Sequence, residues 1–93
     1  MTVKIFIKRD VQEKNISELT MLLKRLRSLT LSQPGYISGE TLTRIDSPNE
    51  CMVISTWRSV EDWNNWVNND KRLKIQTEID QLLGQETEYA IYE

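Results

Sequence analysis

The chain has 93 residues, of which 39% are hydrophobic and 28% charged, and its formal net charge is −2. A chain of this length and mixed composition predicts one folded domain over residues 1–93 and excludes a disordered or low-complexity protein. The charges of both signs are interspersed, so the basic surface that nucleic-acid binding requires is missing. The sequence contains no histidine, which removes the commonest general base and the commonest metal ligand.

The single cysteine and the short apolar runs indicate the cellular location of the protein. Cys51 has no second cysteine with which to form an internal disulfide, which is typical of a reducing compartment. No apolar run reaches the roughly 18 residues of a membrane span, and the first residues lack a signal-peptide cleavage pattern. We therefore expect a cytoplasmic protein with no membrane partner.

The first two elements follow from hydrophobic spacing. Apolar and polar residues alternate over residues 2–8, which predicts a strand. Asn15 is followed three residues later by Glu18, the pattern of a capping box, and apolar residues then recur at helical spacing. The sequence therefore predicts a helix over residues 16–31.

The middle of the chain predicts two strands and a short helix. The turn signal QPGY precedes a predicted strand over 36–45, and a largely apolar run predicts another over 51–58. Ser59 and Asp62 form a second capping-box pattern, so we expect a helix from there to about Asn68.

The last third predicts one more helix and one more strand. Asn69 or Asp70 can cap a helix that Gly84 ends in the left-handed conformation, and residues 86–92 read as the closing strand. The order β-α-β-β-α-β, with its second helical region broken in two, is that of a ferredoxin-like fold of class α+β. Such a subunit has a four-stranded antiparallel sheet with helices on one face only.

Both faces of the predicted sheet are apolar. The face without helices would leave a broad apolar surface in water, and the simplest cover is the same face of a second copy. The sequence therefore predicts a homodimer. Its predicted interface residues are Phe6, Leu42, Met52, Ile54 and Tyr92.

Two stretches carry a family resemblance. QPGYISGETL and VISTWRSVEDWNNWVNND resemble the antibiotic biosynthesis monooxygenase family of dimeric α+β barrels, and the resemblance covers about residues 1–92. It lies in a strand that ends at Trp57, a capped helix that starts at Ser59, and an aromatic face on that helix. The fold hosts unrelated activities, so the resemblance indicates architecture more strongly than function.

Two functional branches of this family can be compared with the sequence. In haem-degrading members, Trp66 and Asp70 would match a tryptophan and an aspartate, but Gln76 stands where a histidine binds the iron. The asparagine that this branch carries on its first strand is also missing, so the resemblance disfavours haem degradation. The second branch oxidises polyketide anthrones without a cofactor, using an asparagine, a tryptophan and a tyrosine.

The resemblance to the second branch implies a cofactor-independent monooxygenase acting on an aromatic or quinol-like small molecule. A non-catalytic dimeric ligand-binding or stress-response barrel is the alternative, since the sequence offers no recognisable base. The candidate catalytic residues are Trp66 and Asn65, and the candidate substrate-binding residues are Trp63, Asn64, Gln76, Trp57 and Tyr36. No metal or cofactor is expected.

Each candidate also has a purely structural interpretation. Trp63 and Trp66 lie three apart on one helix face and either pack in the core or line a cavity beside the sheet. Asn64 and Asn65 either orient a ligand carbonyl or face solvent. The oxygenase hypothesis therefore depends on a cavity next to the clustered indoles.

Overall fold

The chain forms one antiparallel sheet with three helices on one side. A computed structural model describes residues 2–93. Its elements are β1 (Val3–Asp10), α1 (Ile16–Thr30), β2 (Tyr36–Thr43), β3 (Glu50–Trp57), α2 (Val60–Val67), α3 (Asp70–Leu83) and β4 (Glu88–Tyr92), with a 3₁₀ turn at Glu13–Asn15. The strand order is β2-β3-β1-β4, and all neighbouring strands are antiparallel. The predicted ferredoxin-like α+β fold is confirmed.

The helix ends show which local signals act. Ser59 Oγ accepts from the backbone N–H of Asp62 at 3.1 Å, as its capping box predicts. The side chain of Asn69 caps α3, and Gly84 ends it with φ of +71°. The predicted cap at Asn15 is wrong, because the 3₁₀ turn leads directly into α1 and Asn15 Nδ2 donates to Leu82 O instead.

Strand alternation decides which side chains face the helices. Along β1, buried and more exposed residues alternate as predicted, but the strand continues to Asp10, two residues past its predicted end. The extension adds Arg9 to the helix-facing side, directly opposite Cys51 of β3. Arg9 is buried there.

The core has two clusters of buried apolar side chains. The sheet cluster lies between the strands and α2 and consists of Val3, Ile5, Ile7, Trp57, Trp63 and Trp66. The helix cluster lies between α1 and α3 and consists of Val11, Leu19, Leu22, Ile75 and Ile79. The two clusters fix α2 and α3 in place, and α1 packs against α3.

A β-bulge at the start of β2 sets the direction of one aromatic side chain. Tyr36 pairs with Trp57 but Ser38 pairs with Thr56, so the register shifts by one residue between them. Tyr36 therefore shares the helix-facing side with Gly39 and Thr41, although an unbroken alternation would turn it away.

The opposite face of the sheet carries no helix. By register it presents the apolar set that the sequence predicts: Phe6, Leu42, Met52, Ile54 and Tyr92. Leu42 is 44% exposed and Tyr92 is 58% exposed in the single chain. Within residues 2–93, none of the helices combines the length and the apolar character needed to cross a bilayer.

Candidate ligand-binding site

A cavity of about 420 Å³ lies between α1 and the helix-facing side of the sheet. This volume is within the roughly 300–1,000 Å³ typical of small-molecule sites. Its walls are mainly apolar, and they include Ile16, Leu19, Leu23 and Leu26 from α1, Ile7, Val53, Ser55 and Tyr36 from the sheet, and Trp63, Trp66, Arg9 and Arg72 at one end. The space that the oxygenase hypothesis requires is therefore present.

Two of the three tryptophans line this cavity. Trp63 and Trp66 are each 3% exposed and lie on the inward face of α2, where they form both a core contact and a cavity wall. Trp57 has no exposed surface and is not among the lining residues. Its indole N–H donates to Ser55 Oγ at 2.7 Å, which satisfies the buried polar group. The structure thus places Trp57 in the core, behind the cavity.

A row of aromatic rings supports the tryptophan end of the cavity. The ring centroids of Tyr36 and Trp57 are 5.4 Å apart, those of Trp57 and Trp63 5.8 Å, and those of Trp63 and Tyr89 5.7 Å. These separations and tilted geometries are favourable for aromatic pairs. The row holds the indole of Trp63 in a fixed orientation beside the cavity.

Tyr36 is half-buried and lines the cavity from β2. Its phenol lies across Gly39, where a Cβ would be only 2.6 Å from Tyr36 Oη. The phenol therefore keeps this position only because Gly39 has no side chain.

The two asparagines lie elsewhere. Asn64 and Asn65 are exposed, and neither is among the cavity-lining residues. This differs from the hypothesis that one of them orients a substrate oxygen. The reason is helical spacing: Trp63 and Trp66 point to the sheet, so the two residues between them point outward.

Gln76 is buried below the cavity and does not line it. Its Oε1 accepts from Arg9 Nη2 at 3.3 Å and from Arg72 Nη2 at 3.4 Å. Its Nε2 donates to Asp80 Oδ1 and to Thr87 Oγ1, both at 2.8 Å. Partners of opposite polarity on the two ends fix the orientation of the amide. Gln76 therefore holds the two guanidinium groups instead of contacting a ligand directly.

The sequence-based candidates did not include Arg9 and Arg72, yet both line the cavity and both are 3% exposed. Arg72 is well satisfied: it donates to Val67 O at 3.2 Å, to Gln76 and to Tyr89 Oη. Its guanidinium also lies 5.7 Å from the ring centroid of Trp63 and 5.4 Å from that of Tyr89.

Arg9 has fewer partners than Arg72. Within residues 2–93 its side chain donates one hydrogen bond, to Gln76, and its buried Nε has no partner. Burial is the main cause that lowers the pKa of Arg9, and the charge of Arg72 lowers it further, while Tyr89, Cys51 and Asp80 act in the opposite direction.

Cys51 also lines the cavity, and it is the cross-strand neighbour of Arg9. Partial burial raises the pKa of its thiol, and the positive charge of Arg9 partly opposes that shift. Across the described chain, no group of three or more His, Cys, Asp and Glu side chains is arranged to hold a metal ion.

Fold and site together define a small α+β protein with a ligand-sized cavity between its first helix and its sheet. The family model described as antibiotic biosynthesis monooxygenase matches residues 2–78. The chain belongs to this family.

One curated relative is similar over most of this chain. A 42.8 kDa protein in the whiE locus of Streptomyces coelicolor is 25% identical over 71 residues, which is 76% of this chain and 18% of that protein. The chain thus spans less than a fifth of the length of this curated relative.

Two solved structures share the fold across the chain. A conserved protein from Methanosarcina mazei Go1 superposes with a TM-score of 0.92 at 22% identity, covering 100% of this chain and 92% of that one. SnoaB, a cofactor-independent oxygenase from Streptomyces nogalater, superposes with a TM-score of 0.87 at 17% identity, covering 99% of this chain and 91% of that one.

Proposed function

We propose that this protein is a cofactor-independent monooxygenase that oxidises a flat aromatic or quinol-like small molecule in the cavity between α1 and the sheet. The observation that carries the proposal is the cavity itself, of about 420 Å³ and bounded by Trp63 and Trp66, in a member of the antibiotic biosynthesis monooxygenase family. The likeness to SnoaB, which is described as a cofactor-independent oxygenase, supports it further.

The chemistry needs an electron-rich substrate and molecular oxygen. An anthrone-type CH₂ group that loses a proton becomes an electron-rich anion, which can transfer electrons directly to oxygen. In the complete reaction the CH₂ group and O₂ give a carbonyl group and one water, so one oxygen atom enters the product and the other leaves as water. The protein would contribute an apolar cavity, a fixed substrate orientation and stabilisation of the charged species.

The cavity residues then take distinct roles. Trp63 and Trp66 form the flat wall against which an aromatic ring stacks. Tyr36 lines the cavity from β2 and offers a phenol to a substrate oxygen. We assign no role in the reaction to Asn64 and Asn65, because both are exposed outside the cavity.

Oxygen consumption with an anthrone or a hydroquinone tests the proposal. The wild-type protein should consume oxygen faster than the same solution without protein. Leu23→Trp would place an indole in the cavity, and we expect it to return the rate to that of autoxidation while thermal unfolding shows a folded protein. Trp66→Phe should slow the reaction, and Asn65→Ala, on the same helix but outside the cavity, should leave it unchanged.

A rate equal to autoxidation for every substrate tried would overturn the oxygenase proposal. Binding of an aromatic probe without oxygen consumption would instead support the alternative, a ligand-binding barrel without catalysis. Loss of binding in Leu23→Trp would then assign the binding to the same cavity.

We also propose a homodimer in which the helix-free faces of two sheets pack together. This face presents Phe6, Met52 and Ile54 in its centre, with Leu42 and Tyr92 exposed in the single chain. A second copy would remove this apolar surface from water and would close the sheet edges around a common core.

Sedimentation velocity tests the dimer. The wild-type protein should sediment at twice the chain mass, and Ile54→Glu should shift it to the chain mass because a carboxylate would be buried without a partner. Asn65→Ala is the control and should remain dimeric. A wild-type protein that stays at the chain mass throughout the micromolar range would overturn the dimer but not the oxygenase proposal.

A further inference from the structure

We propose that the cavity binds its ligand as an anion, through Arg9, with Arg72 adding a second positive charge. The ligand class is a flat aromatic molecule that carries a carboxylate or an ionised phenol. This inference rests on the proposed function in one respect, that the cavity between α1 and the sheet is the ligand site.

The first observation is an incompletely satisfied cation at the cavity wall. Arg9 is 3% exposed, lines the cavity and has a buried Nε without a hydrogen-bond partner in residues 2–93. A guanidinium offers five N–H donors, and Arg9 uses one of them, toward the neutral Gln76. Buried polar groups in folded proteins are nearly always paired, so the unpartnered Nε and the single bond to Gln76 indicate that Arg9 lacks an acceptor.

The second observation is the charge balance. In the described part of the chain, no carboxylate lies within 4.0 Å of Arg9 or Arg72, since all four ion pairs involve other residues. The nearest acid in the network, Asp80, is reached only through the amide of Gln76. Two buried cations without a bound anion are costly, and an anionic ligand would offset that cost.

Arg72 and Arg9 differ in how many of their N–H donors are already used by the protein. Arg72 already donates to Val67 O, Gln76 and Tyr89, and it lies against two aromatic rings. Arg72 therefore contributes charge from a fixed position. Arg9 has donors left for a ligand oxygen, and Gln76 is the positioning residue that holds both guanidinium groups.

A purely structural role accounts less well for Arg9. A guanidinium that serves only the fold is normally surrounded by carbonyl or carboxylate acceptors, as Arg44 is by Asp46 and Glu50 on the surface. Arg9 has a single such acceptor, the amide oxygen of Gln76, and adjoins a cavity. The same cation would stabilise a substrate that has lost a proton, so anion binding and the proposed oxidation call for the same group.

A matched pair of fluorescent probes tests the inference. Anthracene-9-carboxylate and 9-anthracenemethanol share one ring system and differ in charge. We expect the carboxylate to bind the wild-type protein at least about tenfold more tightly, since a hydrogen bond to a charged group contributes that much or more. Arg9→Gln should reduce the preference to the part that the charge of Arg72 supplies and should leave the alcohol unaffected, whereas Arg9→Lys should keep more of the preference.

Arg25→Gln is the matched control, because Arg25 is exposed, pairs with Glu78 and does not line the cavity. It should keep the wild-type preference. Retention of the full preference in a folded Arg9→Gln would overturn the assignment, since the anion would then bind without Arg9. If Arg9→Gln does not fold, the wild-type comparison still decides: equal affinities for the two probes, or no binding of either, would overturn the inference.

The proposed oxidation is tested separately. Equal binding of both probes together with oxygen consumption would remove the anion site and keep the oxygenase. A clear preference for the carboxylate without oxygen consumption would keep the anion site and favour a ligand-binding barrel.

Discussion

The two sides of α1 carry neighbouring leucines in different surroundings. Leu22 is buried in the helix cluster against α3, whereas Leu23, the next residue, is half-buried and lines the cavity. Leu19, one turn earlier, does both, because it belongs to the helix cluster and also lines the cavity. The wall of the cavity is thus partly made of the packed core, and one residue step along α1 separates a side chain that serves only the packing from one that also faces the cavity.

The first prediction compares the stability cost of truncating Leu22 and Leu23. Leu22→Ala should lower the free energy of unfolding by about 2–5 kcal/mol, because it leaves a void in a packed cluster. Leu23→Ala should cost less, about 1–2 kcal/mol, because its side chain is only half-buried beside space that already exists. Urea denaturation measures both. Equal losses would mean that the two sides of α1 are equally packed in solution.

A second prediction concerns Gly35, the residue just before β2, which lies close to Asp62 of α2. Gly35 has φ of +84°, and a Cβ there would be 2.2 Å from Asp62 Oδ2 of α2. We expect Gly35→Ala to cost about 1–3 kcal/mol, from backbone strain and from displacement of Asp62.

Gly84→Ala is the control for that substitution. Gly84 has a similar φ of +71° but has no atom within 4 Å of an added Cβ in the described structure. Its cost should be about 1–2 kcal/mol, from backbone strain alone. If thermal or urea unfolding gives equal losses for the two variants, the contact between Gly35 and Asp62 does not matter for stability.

A third prediction concerns the pKa of Cys51, which responds to the charges around the cavity. Alkylation of Cys51 by iodoacetamide requires the thiolate, and burial raises the pKa of this thiol while Arg9 lowers it. Removing the cation in Arg9→Gln should therefore raise the pKa further and move the midpoint of the pH–rate profile upward. Mass spectrometry of the alkylated protein measures the rate.

Arg25→Gln should leave that profile unchanged, since Arg25 lies outside the cavity. An Arg9→Gln midpoint at or below the wild-type value would show that Arg9 does not act on the cavity in solution. It would count against the anion site as well.

Much of the fold follows from local signals in the sequence. Alternation in the strands and the caps at Ser59 and Gly84 predict the elements and their order. The absence of a cap at Asn15 was not predictable. The choice between a capping box and a 3₁₀ entry depends on tertiary contacts such as the bond to Leu82. Hydrophobic spacing also places Trp63 and Trp66 on the inward face of their helix.

The site was less predictable, because it depends on contacts between distant elements. Continuing the alternation of β1 would have placed Arg9 between Ile7 and Val11 on the inward side, but an arginine at that position reads as the end of a strand. The hydrogen bond from Arg9 to Gln76 joins residues 67 positions apart and has no local signature in the sequence. Arg72 shares the inward face of α3 with Ile75 and Ile79, and its place at the cavity wall likewise has no local signature in the sequence.

The bulge at the start of β2 has a consequence for how this cavity can change. Because one extra residue turns Tyr36 toward the helices, shortening the strand by a single residue at Ile37 would direct the phenol to the far side of the sheet. The aromatic group that β2 presents to the cavity is thus set by chain length and not only by residue type. Insertions and deletions at this point offer a route to new ligand preferences, at the cost of the contact between Tyr36 and Trp57.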